Sequence, residues 1–238
     1  MHHRDTETQR HRDTETQRHR DTETQRKTTA IEAGYFYYFS EKGELHLQFA
    51  SAFLCVSVVK GSMKLIILDR DGVINFDSDQ FIKNPEEWKP IPGSLEAIAR
   101  LSQADYRVVV ATNQSGIGRG LFDMPTLNAI HDKMHKACAQ VGGRIDAVFF
   151  CPHTNDANCG CRKPRSGMLE EIAARYGVSL KGVPAVGDSL RDLEAAARVE
   201  AQPILVLSGK GGKTQATGGL PENTLVFPDL AAVVATLV

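Results

Sequence analysis

Residues 64–75 read KLIILDRDGVIN. Its first part, KLIIL at 64–68, is a short apolar run of the kind that forms a strand buried on both faces of a parallel sheet. Two acidic residues, Asp69 and Asp71, follow directly. Carboxylates at the end of a buried strand indicate chemistry at the edge of a sheet, although Asp-Gly is also a common turn dipeptide and a plain solvated turn stays open as the alternative.

Short β-branched runs alternate with amphipathic segments along the rest of the chain. We predict strands at 64–68, 106–111, 145–150, 183–186 and 203–207, with a sixth at 224–227. We predict helices at 95–102 (with Ser94 as N-cap), 125–141, 166–176, 189–199 and 229–237. Apolar strands separated by helices indicate an α/β fold, a doubly wound, Rossmann-like parallel sheet that is covered on both faces.

Four polar segments fall at the carboxyl ends of these strands, where doubly wound sheets bind their ligands. They are Asp69 to Asp71, Thr112 to Ser115, Cys151 to Lys163, and Gly187-Asp188. Because the four segments follow four different parallel strands, we expect their side chains to meet at one edge of the sheet.

The residues at this edge suit phosphoryl transfer. Two carboxylates on one turn repel each other unless a cation lies between them, and Mg²⁺ prefers oxygen ligands of this kind. Asp188 offers the metal a third carboxylate, and Asp71 is placed to protonate a leaving oxygen and later to activate water. Thr112 and the glycine-rich loop after Ser115 are suited to phosphate oxygens, while Lys163 supplies positive charge.

Cysteines and a histidine are spaced C-x-H-x5-C-x-C at 151–161. Three thiolates and one imidazole complete a tetrahedral zinc site, which is typical of a structural metal. The predicted ligands of this small zinc loop are Cys151, His153, Cys159 and Cys161. Because Arg162 and Lys163 follow directly, a zinc ion bound here would fix the backbone that carries these two positively charged side chains. The alternative, buried thiols beside an unrelated histidine, is disfavoured by the polar sequence of the loop.

The first 62 residues differ from the rest. HRDTETQR occurs three times without change within residues 3–26 and holds no large apolar side chain, so we expect disorder. Residues 31–60 are apolar and aromatic but lack sustained periodicity. We expect that the working protein begins at or near Met63 and that residues 1–62 are an extension, disordered or not part of the native protein. The alternative is that residues 31–60 add a helix or an edge strand to the domain.

Composition argues against several classes of partner. The chain has 238 residues, 42% hydrophobic and 24% charged, with a formal net charge of −1, so no nucleic-acid partner is indicated. It holds no apolar run long enough to span a membrane. Five cysteines, three of them in the zinc cluster, favour a reducing compartment, and we expect a cytoplasmic monomer. The sequence at 208–214 hints at a nucleotide P-loop, but Leu207 stands where the first glycine belongs, which argues against nucleotide binding.

Four short motifs resemble those of the haloacid dehalogenase (HAD) superfamily of phosphatases, in the same order and across nearly all of residues 63–238. They are Asp69-x-Asp71-Gly72, Thr112-Asn113-Gln114, Lys163 and Gly187-Asp188-x-x-x-Asp192. The resemblance implies a HAD-type fold and hydrolysis of a phosphate ester through an aspartyl-phosphate. Residues 63–238 leave no room for the large cap domain that many members carry. Asp192 is expected to support the site rather than to bind the metal.

The resemblance also implies a role for each motif residue. Asp69 is the expected nucleophile and Asp71 the expected general acid and base, while Thr112 and Lys163 hold the phosphoryl group. Mg²⁺ is expected on Asp69, Asp188 and the backbone carbonyl of Asp71.

Three segments closely resemble, in sequence, the D-glycero-D-manno-heptose 1,7-bisphosphate 7-phosphatase family. They are DRDGVIN at 69–75, TNQSGIGRG at 112–120 and CRKPRSGM at 161–168. The resemblance implies a small sugar phosphate as substrate and removal of its 7-phosphate, a step toward lipopolysaccharide precursors. The histidinol-phosphate phosphatase domain shares several of these elements, so histidinol phosphate or another small phosphate ester remains the alternative. Ser189 departs from the lysine that some heptose enzymes carry there, which leaves substrate contacts at that position open.

Substrate contacts are expected from loops, since no cap closes over the site. Carboxylates and amides in the loop after the first strand can bind sugar hydroxyls, and Arg162 can take a second anionic group such as a distal phosphate. The predicted contacts are Asp77, Gln80, Asn113, Gln114, Ser115 and Arg162. A function of another class, an inactive zinc-stabilised binding module, predicts that at least one motif residue is replaced, and none is.

Overall fold

The computed structural model describes residues 63–238 in full and, before them, the backbone of residues 36–39 and 45–48. The chain divides into two units, Met1–Lys60 and Gly61–Val238. In the first unit, β1 (Phe36–Phe39) and β2 (Leu45–Gln48) pair with each other as an antiparallel two-stranded sheet. The expectation of disorder for the repeats at 3–26 falls outside the residues that the structure describes.

The second unit is built on a six-stranded parallel sheet. Its strands are β3 (Leu65–Leu68), β4 (Arg107–Asn113), β5 (Ala147–Cys151), β6 (Pro184–Gly187), β7 (Gln202–Val206) and β8 (Leu225–Phe227). Their order is β5-β4-β3-β6-β7-β8, so the strand that carries the acidic pair lies in the middle, where the winding reverses. All six predicted strands and the parallel sheet are confirmed.

Seven helices belong to this unit, with one 3₁₀ turn at Asn155–Ala157. They are α1 (Ser94–Gln103), α2 (Ser115–Gly118), α3 (Met124–Gln140), α4 (Gly167–Tyr176), α5 (Leu190–Arg198), α6 (Gly211–Thr217) and α7 (Leu230–Leu237). The five predicted helices correspond to α1, α3, α4, α5 and α7. Among the described residues, no helix has the length and hydropathy needed to cross a membrane.

Alternation along β3 places apolar side chains on both faces of the sheet. Ile66 and Leu68 pack with residues of α1, α3 and α7 on one face, and Leu65 and Ile67 pack with residues of α4 and α5 on the other. All four are at most 3% exposed, and each buried aliphatic side chain stabilises the fold by about 1.5–3 kcal/mol. The two cores hold β3 rigidly, and with it the acidic pair at its end.

The start of α1 differs from the prediction. Gly93, with φ at 83°, takes the N-cap position, and Ser94 is the first residue of the helix. The Ser94 hydroxyl donates to Ile74 O at 2.7 Å instead of capping the helix. The reason is burial, because a buried hydroxyl must find an acceptor and the nearest loop carbonyl supplies one.

Two helical segments were not predicted. The glycine-rich stretch after Ser115, expected to be a loop, contains the single turn α2, and its glycines serve close packing: a Cβ at Gly118 would lie 2.7 Å from Pro152 O. The helix α6 forms in a sequence rich in glycine and lysine, where Gly211 packs so tightly under Val206 O that no side chain fits. Tertiary contacts rather than local propensity select these turns.

Candidate active site

A cavity of about 240 Å³ opens at the carboxyl edge of the sheet, beyond the ends of β3 and β4. Eight of the predicted site residues line it: Asp69, Asp71, Asp77, Thr112, Asn113, Gln114, Ser115 and Arg162. Two more, Lys163 and Asp188, reach the same cluster of carboxylates. The polar segments that follow different strands therefore do meet at one edge.

Asp69 lies directly after β3 and is 6% exposed. Its backbone N–H donates to Val186 O at 2.9 Å, which continues the pairing of β3 with β6 and fixes the residue. Its Oδ1 accepts from the Arg70 N–H at 2.8 Å and lies 3.1 Å from Lys163 Nζ. No side chain or backbone N–H within residues 63–238 donates to Oδ2, so one oxygen of this carboxylate remains available to a ligand.

Lys163 carries a buried ammonium that two carboxylates share. Its Nζ lies 2.7 Å from Asp192 Oδ1 and 3.1 Å from Asp69 Oδ1, and it donates to Ala111 O at 2.7 Å. Burial alone would lower the pKa of Lys163, but the charges of Asp192 and Asp69 outweigh burial and raise it above its usual value. The ammonium therefore stays charged and lies against the Oδ1 side of the Asp69 carboxylate.

The backbone of Lys163 is held by the side chain of Asn113. The Asn113 amide accepts from the Lys163 N–H and donates to the Lys163 carbonyl, each at 3.1 Å. This pair of hydrogen bonds joins the end of β4 to the loop that delivers the lysine. The predicted contact between Asn113 and substrate stays a prediction.

Three side chains hold the carboxylate of Asp71. Arg70 donates through Nε and Nη2 at 2.9 to 3.1 Å, Asn75 Nδ2 donates to Oδ1 at 2.9 Å, and Gln114 Nε2 donates to Oδ2 at 2.9 Å. Gln114 also donates to Thr112 Oγ1 at 2.9 Å, which ties β4 to the acidic pair. Burial would raise the pKa of Asp71, but Arg70 and these hydrogen bonds lower it below its usual value. This carboxylate is therefore ionised in the free protein.

Asp188 follows β6 and is 2% exposed. The Lys210 N–H donates to its Oδ2 and the Thr214 hydroxyl to its carbonyl, each at 2.8 Å. Gly72 and Gly209 close on this carboxylate with φ at +81° and +57°, and a Cβ at either position would overlap Oδ2. The two glycines therefore form a tight cradle that fixes the carboxylate.

Asp69, Asp188 and Asp192 each place one carboxylate oxygen within 4.8 Å of the others. Burial and the charge of Asp69 raise the pKa of Asp188 to about 7, and burial raises that of Asp69 to about 6 although Lys163 lowers it. Crowded, buried carboxylates of this kind fit a hard cation, so the donor set suits Mg²⁺. Asp192 has a different task, since its Oδ1 contacts Lys163 and its Oδ2 accepts from the N–H and hydroxyl of Ser189.

The four predicted zinc ligands converge at the end of β5, whose last residue is Cys151. Cys161 Sγ lies 3.4 Å from both Cys151 Sγ and His153 Nδ1 and 3.6 Å from Cys159 Sγ, while Cys151 Sγ lies 3.5 Å from His153 Nδ1 and 3.6 Å from Cys159 Sγ. Zinc bonded to two thiolates at about 2.3 Å in a tetrahedron separates their sulfurs by about 3.8 Å. The cysteines are not in disulfides, and the geometry fits Zn²⁺.

The zinc loop orients the arginine that follows it. Arg162 donates through Nε to Asn155 Oδ1 at 2.7 Å and through Nη1 to His153 O at 3.2 Å. Arg165 donates to Cys159 O at 2.5 Å, which ties the end of the loop to its middle. The conformation of the loop at 151–161 therefore determines where the Arg162 guanidinium lies.

The loop after β3 is fastened by Lys210. Its Nζ lies 2.8 Å from Asp77 Oδ2 and 3.1 Å from Asp79 Oδ1. The N–H of Gln80 donates to Ser78 Oγ at 3.1 Å, in a turn that leaves Gln80 exposed beside a neighbouring cavity. The structure does not bring Gln80 to the catalytic cavity, and its contact with substrate stays a prediction.

Three residues near the site were not predicted from the sequence. Arg191, in the first turn of α5, lines the catalytic cavity, and its buried Nε has no hydrogen-bond partner among the described residues. Its position three residues after Asp188 was an available signal, because the first turn of a helix that follows a strand lies near the carboxyl edge of the sheet. Lys210 lay in a segment that resembled a P-loop, and His131 lies among the apolar residues of α3, so neither carried a clear signal.

Comparisons with known proteins agree with this geometry. The family model described as polynucleotide kinase 3 phosphatase matches residues 64–190, more than half of the chain, and one described as HAD-hydrolase-like matches residues 160–233. The D-glycero-beta-D-manno-heptose-1,7-bisphosphate 7-phosphatase of Bordetella bronchiseptica is 66% identical over 175 residues, 74% of this chain and 98% of that protein. The enzyme of the same name from Pseudomonas aeruginosa is 55% identical over 176 residues, again 74% and 98%.

A solved structure gives the same result for the fold. The crystal structure of D,D-heptose 1,7-bisphosphate phosphatase from B. bronchiseptica, complexed with magnesium and phosphate, matches with a TM-score of 0.73 at 66% identity and covers 74% of this chain and 98% of that chain. The HAD-type fold predicted from the sequence motifs is confirmed. The chain belongs to the HAD-like hydrolases and, within them, to the family of D-glycero-β-D-manno-heptose-1,7-bisphosphate 7-phosphatases.

Proposed function

We propose that this protein is a Mg²⁺-dependent phosphatase that removes the 7-phosphate of D-glycero-β-D-manno-heptose 1,7-bisphosphate during the synthesis of lipopolysaccharide precursors. One observation carries the proposal: five motif residues meet at one edge of the sheet in a chain 66% identical to an enzyme of that name. They are Asp69, Asp71, Thr112, Lys163 and Asp188. An inactive binding module gives no reason for all five to be kept together.

In the first half of the proposed reaction, Asp69 attacks phosphorus. The attacking atom is Oδ2, which no group within residues 63–238 engages. The bond from phosphorus to the sugar oxygen breaks as the aspartyl-phosphate forms, and the departing oxygen takes a proton from Asp71. Asp71 is ionised in the free protein, but a phosphate dianion bound beside it favours its protonated form, so substrate binding is accompanied by uptake of a proton.

In the second half, Asp71 accepts a proton from water as the water oxygen attacks the aspartyl-phosphate. The bond between phosphorus and Asp69 breaks, and inorganic phosphate leaves. Thr112 and the ammonium of Lys163 hold the phosphoryl oxygens throughout, and Asp192 keeps that ammonium in place. Asp69, Asp188 and the backbone carbonyl of Asp71 would hold Mg²⁺, whose positive charge would reduce the repulsion between the anionic nucleophile and the negatively charged phosphoryl oxygens.

Preference for a bisphosphate is supported by a second cavity, of about 450 Å³, next to the first. Its lining includes Arg162, Arg165, Arg191 and Arg198 and no carboxylate, and Arg162 and Arg191 line both cavities. We propose that Arg162 takes the distal phosphate, since a guanidinium binds phosphate through two parallel hydrogen bonds. Asp77, at the opposite loop, is proposed to bind a sugar hydroxyl.

Zn²⁺ is proposed as a structural ion that shapes the loop at 151–161. The cysteines of the described part of the chain form no disulfide, which supports a reducing compartment such as the cytoplasm. The two family models match within residues 64–233, and the Bordetella relative aligns over 98% of its own length with 74% of this chain. Both findings support residues 63–238 as the working unit and residues 1–62 as dispensable for activity. We propose that this unit acts as a monomer.

A phosphate-release assay tests the proposal. Both anomers of heptose 1,7-bisphosphate are compared with histidinol phosphate, with and without Mg²⁺. We expect Mg²⁺-dependent release of one phosphate from the β anomer, with the 1-phosphate retained. Comparable or faster turnover of histidinol phosphate would contradict the proposed substrate.

The nucleophile is tested separately. We expect Asp69→Asn to be inactive and fluoroberyllate to be bound at Asp69 in the wild-type protein. Turnover of Asp69→Asn at the wild-type rate, or labelling of another side chain, would overturn the proposed mechanism.

A further inference from the structure

The arginine between the two catalytic aspartates is wholly buried, with 0% exposure. Arg70 donates through Nε and Nη2 to Asp71, and its Nη2 also donates to Gln114 Oε1 at 3.2 Å. Its remaining nitrogen, Nη1, lies 3.4 Å from His131 Nε2. Among the described residues, this is the one acceptor available to Nη1, so His131 completes the set of partners of the guanidinium.

His131 is built to act as an acceptor. It lies on α3, is 9% exposed, and its ring meets that of Phe150 edge to face at 6.3 Å between centroids. Burial and the charge of Arg70 lower the pKa of His131 to about 3, so its imidazole is neutral. Arginine can only donate, so Nε2 must be the unprotonated nitrogen. The ring is therefore held with a lone pair toward Arg70.

Loss of this acceptor leaves a buried, charged N–H group without a partner. A guanidinium is planar and rigid, so rotating it to find a new acceptor for Nη1 also moves Nε and Nη2. Those two nitrogens fix the carboxylate of Asp71. A change at α3 is thereby transmitted to the group that protonates the leaving oxygen.

We propose that His131 is a positioning residue which, through Arg70, sets the orientation of the Asp71 carboxylate and hence its efficiency as a proton donor. The inference rests on the proposed role of Asp71 as general acid. It assigns a part in the reaction to a helix that contributes no residue to the lining of the catalytic cavity.

Two esters with different leaving groups test it in the full-length protein. The sugar oxygen needs a proton to leave, whereas p-nitrophenolate leaves without one. Because kcat/KM reports the steps up to departure of the leaving group, a misplaced Asp71 lowers kcat/KM for the sugar phosphate and spares p-nitrophenyl phosphate. A purely structural defect lowers both together.

His131→Leu removes the acceptor, and His131→Gln restores one. For His131→Leu we expect kcat/KM to fall about tenfold with the sugar phosphate and less than about twofold with the aryl ester. The tenfold loss is a part of the rate enhancement of roughly 10²–10⁴-fold that general acid catalysis supplies. We expect His131→Gln to recover most of the loss. Should His131→Leu not fold, His131→Met, which offers a side chain of similar reach without a strong acceptor, carries the same comparison.

Met134→Ala is the matched control. Met134 is buried on the same helix, nearly one turn further on, and makes apolar contacts. We expect it to lower the melting temperature while leaving the ratio of the two kcat/KM values unchanged. Equal losses with both esters in the His131 variants would overturn the inference. If Asp71→Asn itself fails to discriminate between the esters, the proposed role of Asp71 falls, and the inference with it.

Discussion

Replacing Cys161 by serine removes one of the four proposed zinc ligands, directly before the two cations of the site. A serine hydroxyl is a far weaker zinc ligand than a thiolate, so we expect the purified variant to lack zinc. Zinc present at about 1,000 times its Kd stabilises a fold by about 4 kcal/mol, so the free energy of unfolding should fall by about that amount. The two apolar cores remain, and we expect the rest of the domain to stay folded.

The contacts in the loop give the expected loss of activity. Without the metal, the hydrogen bonds from Arg162 to Asn155 and His153, and from Arg165 to Cys159, lose their fixed frame. A displacement of about 1 Å in a substrate-positioning group costs about 10²-fold in rate, so we expect kcat for the bisphosphate to fall by about that factor.

Cys138→Ser is the matched control for this prediction. Cys138 is a free cysteine, fully buried on α3 and outside the zinc cluster. We expect this variant to keep its zinc and its turnover, with a loss of about 1–3 kcal/mol of stability from the buried hydroxyl. The measurements are zinc content, urea unfolding and phosphate release. A Cys161→Ser protein that lacks zinc and keeps full turnover would refute the reasoning.

Three further predictions concern the metal and the phosphoryl site. Lys163→Met leaves two buried carboxylates without their shared cation, so urea unfolding should show a loss of about 3–5 kcal/mol together with loss of turnover; unchanged stability would contradict the contacts at 2.7 and 3.1 Å. Gly209→Ala pushes a methyl group against Asp188, so the Mg²⁺ concentration for half-maximal activity should rise, whereas Gly177→Ala, which has a similar φ of +63° and open space, should leave it unchanged. Because burial raises the pKa of Asp188 to about 7, the metal-free fold binds more protons than the unfolded chain between about pH 4 and pH 7, and its stability should fall as the pH rises through that range. Mg²⁺ should therefore raise the melting temperature more at pH 8 than at pH 6, and an equal rise at both would count against this account.

Most of the fold could be predicted because buried parallel strands have a strong sequence pattern. The run at 64–68 and its counterparts gave six strands, and each proved correct to within about two residues. The prediction failed where glycine dominates, as in α2 and α6. Local propensity opposes helix at glycine, and there the packing of Gly211 under Val206 outweighs it.

The residues of the candidate site likewise fall into those that could be predicted from the sequence and those that could not. Residues at or directly after the end of a strand, such as Thr112 and Asp69, were predictable because strand order alone brings them to one edge. Residues whose place depends on the rotation of a helix or the path of a distant loop were not. His131 contacts Arg70 only because of the rotation of α3 about its axis, and a stripe of apolar neighbours conceals this in the sequence.

The two hydrogen bonds between the Asn113 amide and the backbone of Lys163 impose a rule for engineering. The lysine comes from a loop 50 residues further along the chain, yet the strand end sets its height above the sheet. A loop transplanted from a relative to change the preferred ester will place its lysine correctly only if the recipient protein retains this asparagine. Loop and strand end therefore have to be exchanged as one cassette.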